Sequence, residues 1–161
     1  MQPQPLQSGG IPLWIAGGGE KVTLKVAATY ASYTNFGGSL EEFDHKSDVL
    51  RGHCETLGRD FGEITRSTNF NTIIAATEAE ADERLAAVVA RLRPHVGDER
   101  ADAIEADYRA SDAFGTPEQI VERLRARAEH GLGYAIHYFP EAAYDTSGLT
   151  LFEREVVPAL A

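Results

Sequence analysis

The sequence predicts an α/β fold with parallel strands. Two patterns carry that prediction: short apolar or β-branched runs alternate with longer amphipathic stretches, and capping-box signatures open three of those stretches. Alternation of this kind builds parallel sheets joined by right-handed crossovers. The elements follow in chain order.

Residues 1–10, MQPQPLQSGG, are Gln, Pro and Gly punctuation and read as a lead-in loop. Residues 11–16, IPLWIA, are nearly continuous in apolar character, as expected of a strand buried on both faces. Gly17, Gly18 and Gly19 end it. Glu20 to Ala31 reads as a helix with Leu24, Ala27, Ala28 and Ala31 at helical spacing. Residues 32–36, SYTNF, make a second strand, stopped by Gly37 and Gly38. Ser39 to Glu42 is a capping box opening a helix with Phe43, Leu50, Cys54 and Leu57 on one face and Gly58 as its stop. Residues 64–76 are β-branched and long enough for one strand or a strand with a bend. Thr77 to Glu80 is a second capping box. The helix it opens carries a stripe of Leu85, Val88, Val89 and Leu92, and Pro94 is expected to end it.

Residues 95–115 are polar and weakly patterned, with a short helix expected around 99–110. Thr116 to Gln119 is the third box, with Pro117 at the first helical position. Ile120, Val121, Leu124 and Ala128 form the buried face of its helix, and Gly131 stops it. Gly133 to Phe139 is an aromatic-rich strand closed by Pro140. A last helix is expected over 149–160, with a break near Pro158. The tally is four strand–helix units in one domain, without a linker.

Composition narrows the function. Twenty-five acids against 15 bases give a net charge of −10, which disfavours a nucleic-acid groove or an anionic membrane surface. One bound phosphate remains compatible, because backbone N–H groups at a helix start hold anions without a positive field. Cys54 is the only cysteine, so no intrachain disulfide forms and a cytoplasmic setting is expected. The N-terminus has no signal-peptide pattern, and no apolar run reaches membrane-spanning length.

The sharpest local feature is IPLWIAGGGEK over residues 11–21: a strand, three glycines, then a helix. Glycines allow close backbone approach to a ligand, and the helix start offers free donors. The segment is neither a dinucleotide fingerprint nor a Walker loop, so it reads either as a phosphate cradle or as a plain strand-to-helix turn. Glu20 weighs against an anion and Lys21 for one. The five histidines lack zinc spacing, and no metal is expected. His137, near the end of its strand, is either a site residue or a packed strand histidine. Thr34, Asn35, Asn69 and Asn71 stand in or at the ends of strands, where they either donate to a cofactor or finish turns. Arg66 is a buried anion partner or, the favoured reading, a strand-end surface charge. Cys54 lies mid-helix without an activating base.

Residues Ile11 to Ala31, followed by Tyr33-Thr-Asn-Phe36, resemble the luciferase-like monooxygenase family, especially its probable F420-dependent oxidoreductases. Phe114 to Leu124 and Gly133 to Pro140 resemble that family's last crossover helix and last barrel strand. The resemblance runs from about Ile11 to Leu160. It implies a (β/α)8 barrel binding F420, or alternatively FMN, at the C-terminal ends of its strands, with hydride transfer or oxygen activation at the cofactor ring and a small organic substrate. Carried onto this chain, it makes Gly17, Gly18 and Gly19 the phosphate contacts, with Glu20 and Lys21 as flanking backbone donors and Asn35 as a further cofactor contact.

A complete barrel takes about 250 residues, and this chain has 161. Its units look like the fifth to eighth of the family, so the expected fold is the C-terminal half of a luciferase-like TIM barrel. The family's N-terminal half commonly supplies the catalytic histidine or acid, so no residue here is assigned that role. Such a half is expected to form a homodimer or to pair with an N-terminal half-barrel, because its sheet edges are open. Two other readings stay open: a non-catalytic half-barrel for binding or dimerisation, and a small doubly wound, flavodoxin-like domain.

Overall fold

The computed structural model describes residues 5–8 and 10–161; of the expected lead-in loop, residues 1–4 and 9 lie outside the described residues. The chain divides into two compact units. One runs through Asn69 and takes in His130–Ala135; the other comprises Phe70–Glu129 and Ile136–Ala161.

The first unit contains β1 (Trp14–Ala16), α1 (Thr23–Tyr30), β2 (Tyr33–Asn35), α2 (Leu40–Leu57), a 3-10 turn at Phe61–Glu63, the greater part of β3 (Thr65–Asn71) and the start of β6 (Leu132–Tyr138). The sheet order is β1-β2-β3-β6. β1 and β2 are parallel, with Trp14 opposite Tyr33 and Ala16 opposite Asn35. β2 and β3 are parallel, with Tyr33 opposite Thr65 and Asn35 opposite Ser67. Leu24, Ala27, Ala28, Phe43, Leu50 and Cys54 form the core between helices and sheet, and Ile15 packs against it.

β1 departs from the expected burial. It is three residues long, and only Ile15 is partly covered while Trp14 stays 41% exposed. Side chains alternate across a strand, so Ile15 faces the helices and Trp14 the opposite face, which no described helix of this unit covers. Trp14 stacks on Tyr33 at 4.7 Å and meets Tyr134 edge-on at 5.1 Å, the offset and T-shaped geometries aromatic pairs prefer. α1 starts at Thr23 rather than Glu20, because the chain stays in a turn through Val22. α2 matches its signature closely. The Glu42 N–H donates to Ser39 Oγ and the Ser39 N–H to Glu42 Oε2, which lowers the Glu42 pKa, and Gly58 closes the helix at φ 65°.

The second unit contains β4 (Ile73–Ile74), α3 (Glu78–Val96), α4 (Asp98–Arg109), β5 (Phe114–Gly115), α5 (Pro117–Glu129), the end of β6, α6 (Ser147–Leu151), a π-helical turn at Phe152–Val156 and α7 (Val157–Leu160). The long β-branched run bends at Thr72, whose N–H donates to the Tyr138 carbonyl. β4 then pairs in parallel with β5, a two-residue strand too short for a sequence pattern. The third box closes completely between Thr116 and Gln119. At Thr77 only half of the expected box forms. Its hydroxyl accepts from the Glu80 N–H, but the Glu80 carboxylate turns to Arg84 at 2.8 Å.

Pro94 does not end α3, which continues to Val96. In the last turn proline forfeits only one backbone hydrogen bond, and Gly97, at φ 81°, makes the stop with its N–H on the Arg93 carbonyl. The terminal helix widens into its π turn just before Pro158. Proline offers no N–H to the preceding turn, and a π turn accommodates that loss.

One strut has no sequence signature. Arg59 donates to the carbonyls of Ala27 (3.4 Å), Ala28 (3.0 Å) and Ala31 (2.6 Å), closing the C-terminal end of α1 with a cation. Arg59→Met is expected to cost about 2 kcal/mol, the scale of charged hydrogen bonds left unmade, measured by urea unfolding. An unchanged midpoint would show the clamp to be idle.

Candidate functional site

The glycine segment lies where β1 hands over to α1, at the C-terminal ends of β1 and β2 and near the level of Ser67 in the parallel β3, which runs on to Asn71. Sheets of this kind place ligands at that edge. Gly17 adopts φ +118°, a conformation that excludes ordinary side chains. Its N–H donates to the Asn35 carbonyl at 2.8 Å. Gly17 therefore shapes the turn and has no donor left for a ligand.

Gly18 and Gly19 let two side chains settle against the backbone of the turn. A Cβ on Gly18 would sit 2.5 Å from Lys46 Cε and 3.2 Å from its Nζ; one on Gly19 would sit 2.9 Å from Thr23 Oγ1. An ammonium and a hydroxyl thus lean on the turn. Neither was legible in the local sequence pattern. Thr23 begins α1, a position open to many residue types, and Lys46 comes from α2, where only the packing of α1 on α2 brings it to Gly18.

The flanking residues are divided. The Glu20 carboxylate accepts from His45 Nε2 at 3.0 Å, and the Glu20 carbonyl accepts from His53 Nε2 at 2.8 Å. The two histidines, eight residues apart on α2, hold Glu20 against that helix. Lys21 is exposed and makes no hydrogen bond or ion pair with a described residue. Asn35 is tied in twice. Its carbonyl receives Gly17, and its Nδ2 donates to Ser67 Oγ at 2.9 Å and Asn69 Oδ1 at 3.0 Å. Thr34 is fully buried, its hydroxyl donating to the Ile15 carbonyl. The structure therefore brings together Gly17, Gly18, Gly19, Glu20 and Asn35 and adds Thr23, Lys46, His45 and His53.

The remaining candidates are structural. Arg66 is not a surface charge. It is half-buried, donates to Ser47 Oγ (2.9 Å) and the His130 carbonyl (3.2 Å), and lies over the Phe61 ring at 4.7 Å. Cys54 is fully buried, and burial pushes its thiol pKa up, the reverse of nucleophilic activation. In the second unit His137 packs among Phe70, Phe139 and Phe152, with Nδ1 2.9 Å from Thr72 Oγ1. Burial pushes its pKa down to about 4, so it stands neutral at pH 7. No cluster of three metal-type ligands occurs among the described residues, and no described helix is long and apolar enough to cross a membrane.

Comparison with known proteins bears on the family and the fold. The luciferase-like monooxygenase family model matches residues 1–134. The chain superposes on the coenzyme F420-dependent tetrahydromethanopterin reductase from Methanopyrus kandleri with a TM-score of 0.66 and 15% identity, covering 94% of this chain and 51% of that one. A riboflavin lyase solved with modified FMN and riboflavin gives 0.70 and 18%, covering 95% and 43%. The EDTA monooxygenase from Chelativorans sp. BNC1 gives 0.71 and 19%, covering 98% and 46%. No curated protein matches the sequence. The chain thus spans about half the length of these solved structures, and at such identity they establish the fold alone. The expected parallel α/β fold is borne out, and the matched share accords with half a barrel.

The packed His137 makes the fold acid-sensitive. Its folded pKa lies below the ordinary value near 6.5, so the unfolded chain takes the proton first. This contribution to stability is complete above about pH 6.5 and is lost between pH 6.5 and 4. Wild-type stability is expected to fall more steeply from pH 7 to 4.5 than that of His137→Phe, by about 2 kcal/mol. Parallel profiles in urea unfolding would remove the assignment.

Proposed function

The chain belongs to the luciferase-like monooxygenase family, and from that premise we propose that it is the C-terminal portion of an F420- or flavin-dependent oxidoreductase, carrying the phosphate side of the cofactor site. One observation carries the reading. The Gly17–Gly19 turn combines a required positive φ at Gly17 with two bare positions on which the Lys46 and Thr23 side chains rest, at the C-terminal edge of a parallel sheet. Glycines there let a phosphate reach the backbone donors of Gly18, Gly19, Glu20 and Lys21 and the first turn of α1. Lys46 and Thr23 supply a cation and a hydroxyl to the same place. In a chain of net charge −10, Lys46 is the local counter-charge, while Glu20 is drawn aside by His45.

The residues fit such a cofactor, F420 or alternatively FMN. When bound, its ring supplies two-electron chemistry that amino-acid side chains lack. The work of this chain is to seat the phosphate and orient the ring. Proton transfer is left to the other half of the barrel, because the half-buried His137 is neutral and packed in the second unit.

The site is completed by pairing, either with an N-terminal half-barrel or with a second copy. Supporting this, α1 exposes Val26 and Tyr30 four residues apart on one face, with the exposed Val22 just before its start. A non-catalytic binding or dimerisation module is the second reading, supported by the same face. The single buried cysteine favours a reducing, cytoplasmic setting.

Fluorescence titration of the chain with FMN and with riboflavin, which lacks the phosphate, tests the proposal. FMN is expected to bind at least about tenfold tighter, the scale of one charge-assisted contact. Gly18→Val and Lys46→Gln are each expected to collapse that ratio toward one, with riboflavin binding unchanged. Equal affinity of the wild type for both ligands would overturn the phosphate assignment. By sedimentation, Val26→Glu is expected to weaken self-association; a wild type that stays monomeric at all concentrations would exclude pairing with a second copy.

A further inference from the structure

The glycine turn accounts for a phosphate but for none of the uncommitted polar groups on the same sheet. In the first unit Asn35, Ser67 and Asn69 form a side-chain ladder on the face that also carries Trp14 and Tyr33. Asn35 is in register with Ser67, and Asn69 stands two residues further along β3, hence on the same side.

The hydrogen bonds of this ladder have one consistent direction. Ser67 Oγ donates its only hydrogen to the Thr34 carbonyl at 2.9 Å, so toward Asn35 it accepts. That orients the Asn35 amide, whose Nδ2 gives its two hydrogens to Ser67 Oγ and Asn69 Oδ1. Because Asn69 Oδ1 accepts, its Nδ2 points the other way. Two groups are left over: Asn35 Oδ1, an acceptor, and Asn69 Nδ2, a donor. Neither bonds a described residue. They belong to adjacent amides held by a fully buried serine, so they are pre-oriented rather than free to rotate.

We infer that Asn35 and Asn69 read the imide edge of a planar heterocycle, Asn35 Oδ1 accepting its ring N–H and Asn69 Nδ2 donating to the adjoining ring carbonyl. The acceptor–donor pair is complementary to that edge, which flavins and deazaflavins share in their pyrimidinedione ring. The aromatic shelf of Trp14 and Tyr33 begins two residues back along the strands, roughly 6.6 Å away at strand rise, within reach of the remainder of a fused ring system. Trp14 is exposed enough to stack on it. This inference rests on the reading that the chain takes such a cofactor, but it concerns the ring and owes nothing to the phosphate.

Lumiflavin, which carries the ring without ribityl or phosphate, separates the two. Titrated into the 161-residue chain, it is expected to bind with quenching of its fluorescence, while 3-methyl-lumiflavin, lacking the imide hydrogen, binds at least tenfold more weakly. Asn69→Leu is expected to weaken lumiflavin about tenfold without changing thermal unfolding, since the side chain is exposed. Asn69→Asp, which keeps an acceptor for Asn35 but loses the outward donor, is expected to weaken it likewise. Equal binding of lumiflavin and its 3-methyl derivative, no lumiflavin binding, or an Asn69→Leu variant that binds like wild type would each overturn the inference. If the imide hydrogen matters but FMN binds no better than riboflavin, the ring inference stands and the phosphate reading fails. FMN and F420 titrations then identify which cofactor carries the ring.

Discussion

The hydrogen bond from the Gly17 N–H to the Asn35 carbonyl holds the candidate site together. It extends the β1–β2 ladder by one step into a residue that no longer has strand geometry. Gly17 makes that bond at a positive φ, and at the next two glycines the Lys46 and Thr23 side chains lie against the bare backbone. On the other side of the bond, Asn35 commits its amide to Ser67 and Asn69. The glycine turn and the polar ladder are two consequences of one backbone register.

Register matters because the three strands are parallel. Parallel pairing puts every strand end, and every following turn, on one edge. It also gives each strand a helix-facing side and an opposite side. Here the helix-facing side is conventional, with Ile15, Thr34 and Phe36 against α1 and α2. The opposite side carries an aromatic shelf and an amide ladder. On this face the polar groups bond one another and leave one acceptor and one donor over, whereas in a packed core each unmade hydrogen bond would cost about 1–3 kcal/mol.

Charge placement follows the same economy. The chain is strongly acidic overall, yet its acids are largely committed. Glu42 closes a helix start, Glu80 holds Arg84, Asp112 holds Arg127, and Glu20 leans on His45. Near the glycine turn stand Lys46, which also faces the Glu42 carboxylate, and the exposed Lys21. Local arrangement, not net charge, sets the field an anion would meet.

The sequence by itself determined the order of the main strands and helices, though not β5 or the division of the β-branched run into β3 and β4, and with it the helix starts at Ser39 and Thr116, the stop at Gly58 and the glycine turn, because each of these depends on residues within a few positions of one another. Its family resemblance also held. Tertiary structure decided the rest. It chose how Glu80 is used, turning half of a capping box into an ion pair with Arg84. It carried α3 through Pro94, because a last turn tolerates a missing donor. It made Arg66 an internal clamp, His137 a packed neutral ring and Arg59 a helix cap. Above all it brought Lys46 to Gly18 and Asn69 to Asn35. Those partners stand 28 and 34 positions apart in the chain, and only parallel register and the packing of α1 on α2 make them neighbours. A local pattern carries no record of such distances, which is why the turn was legible and the groups that would grip a cofactor were not.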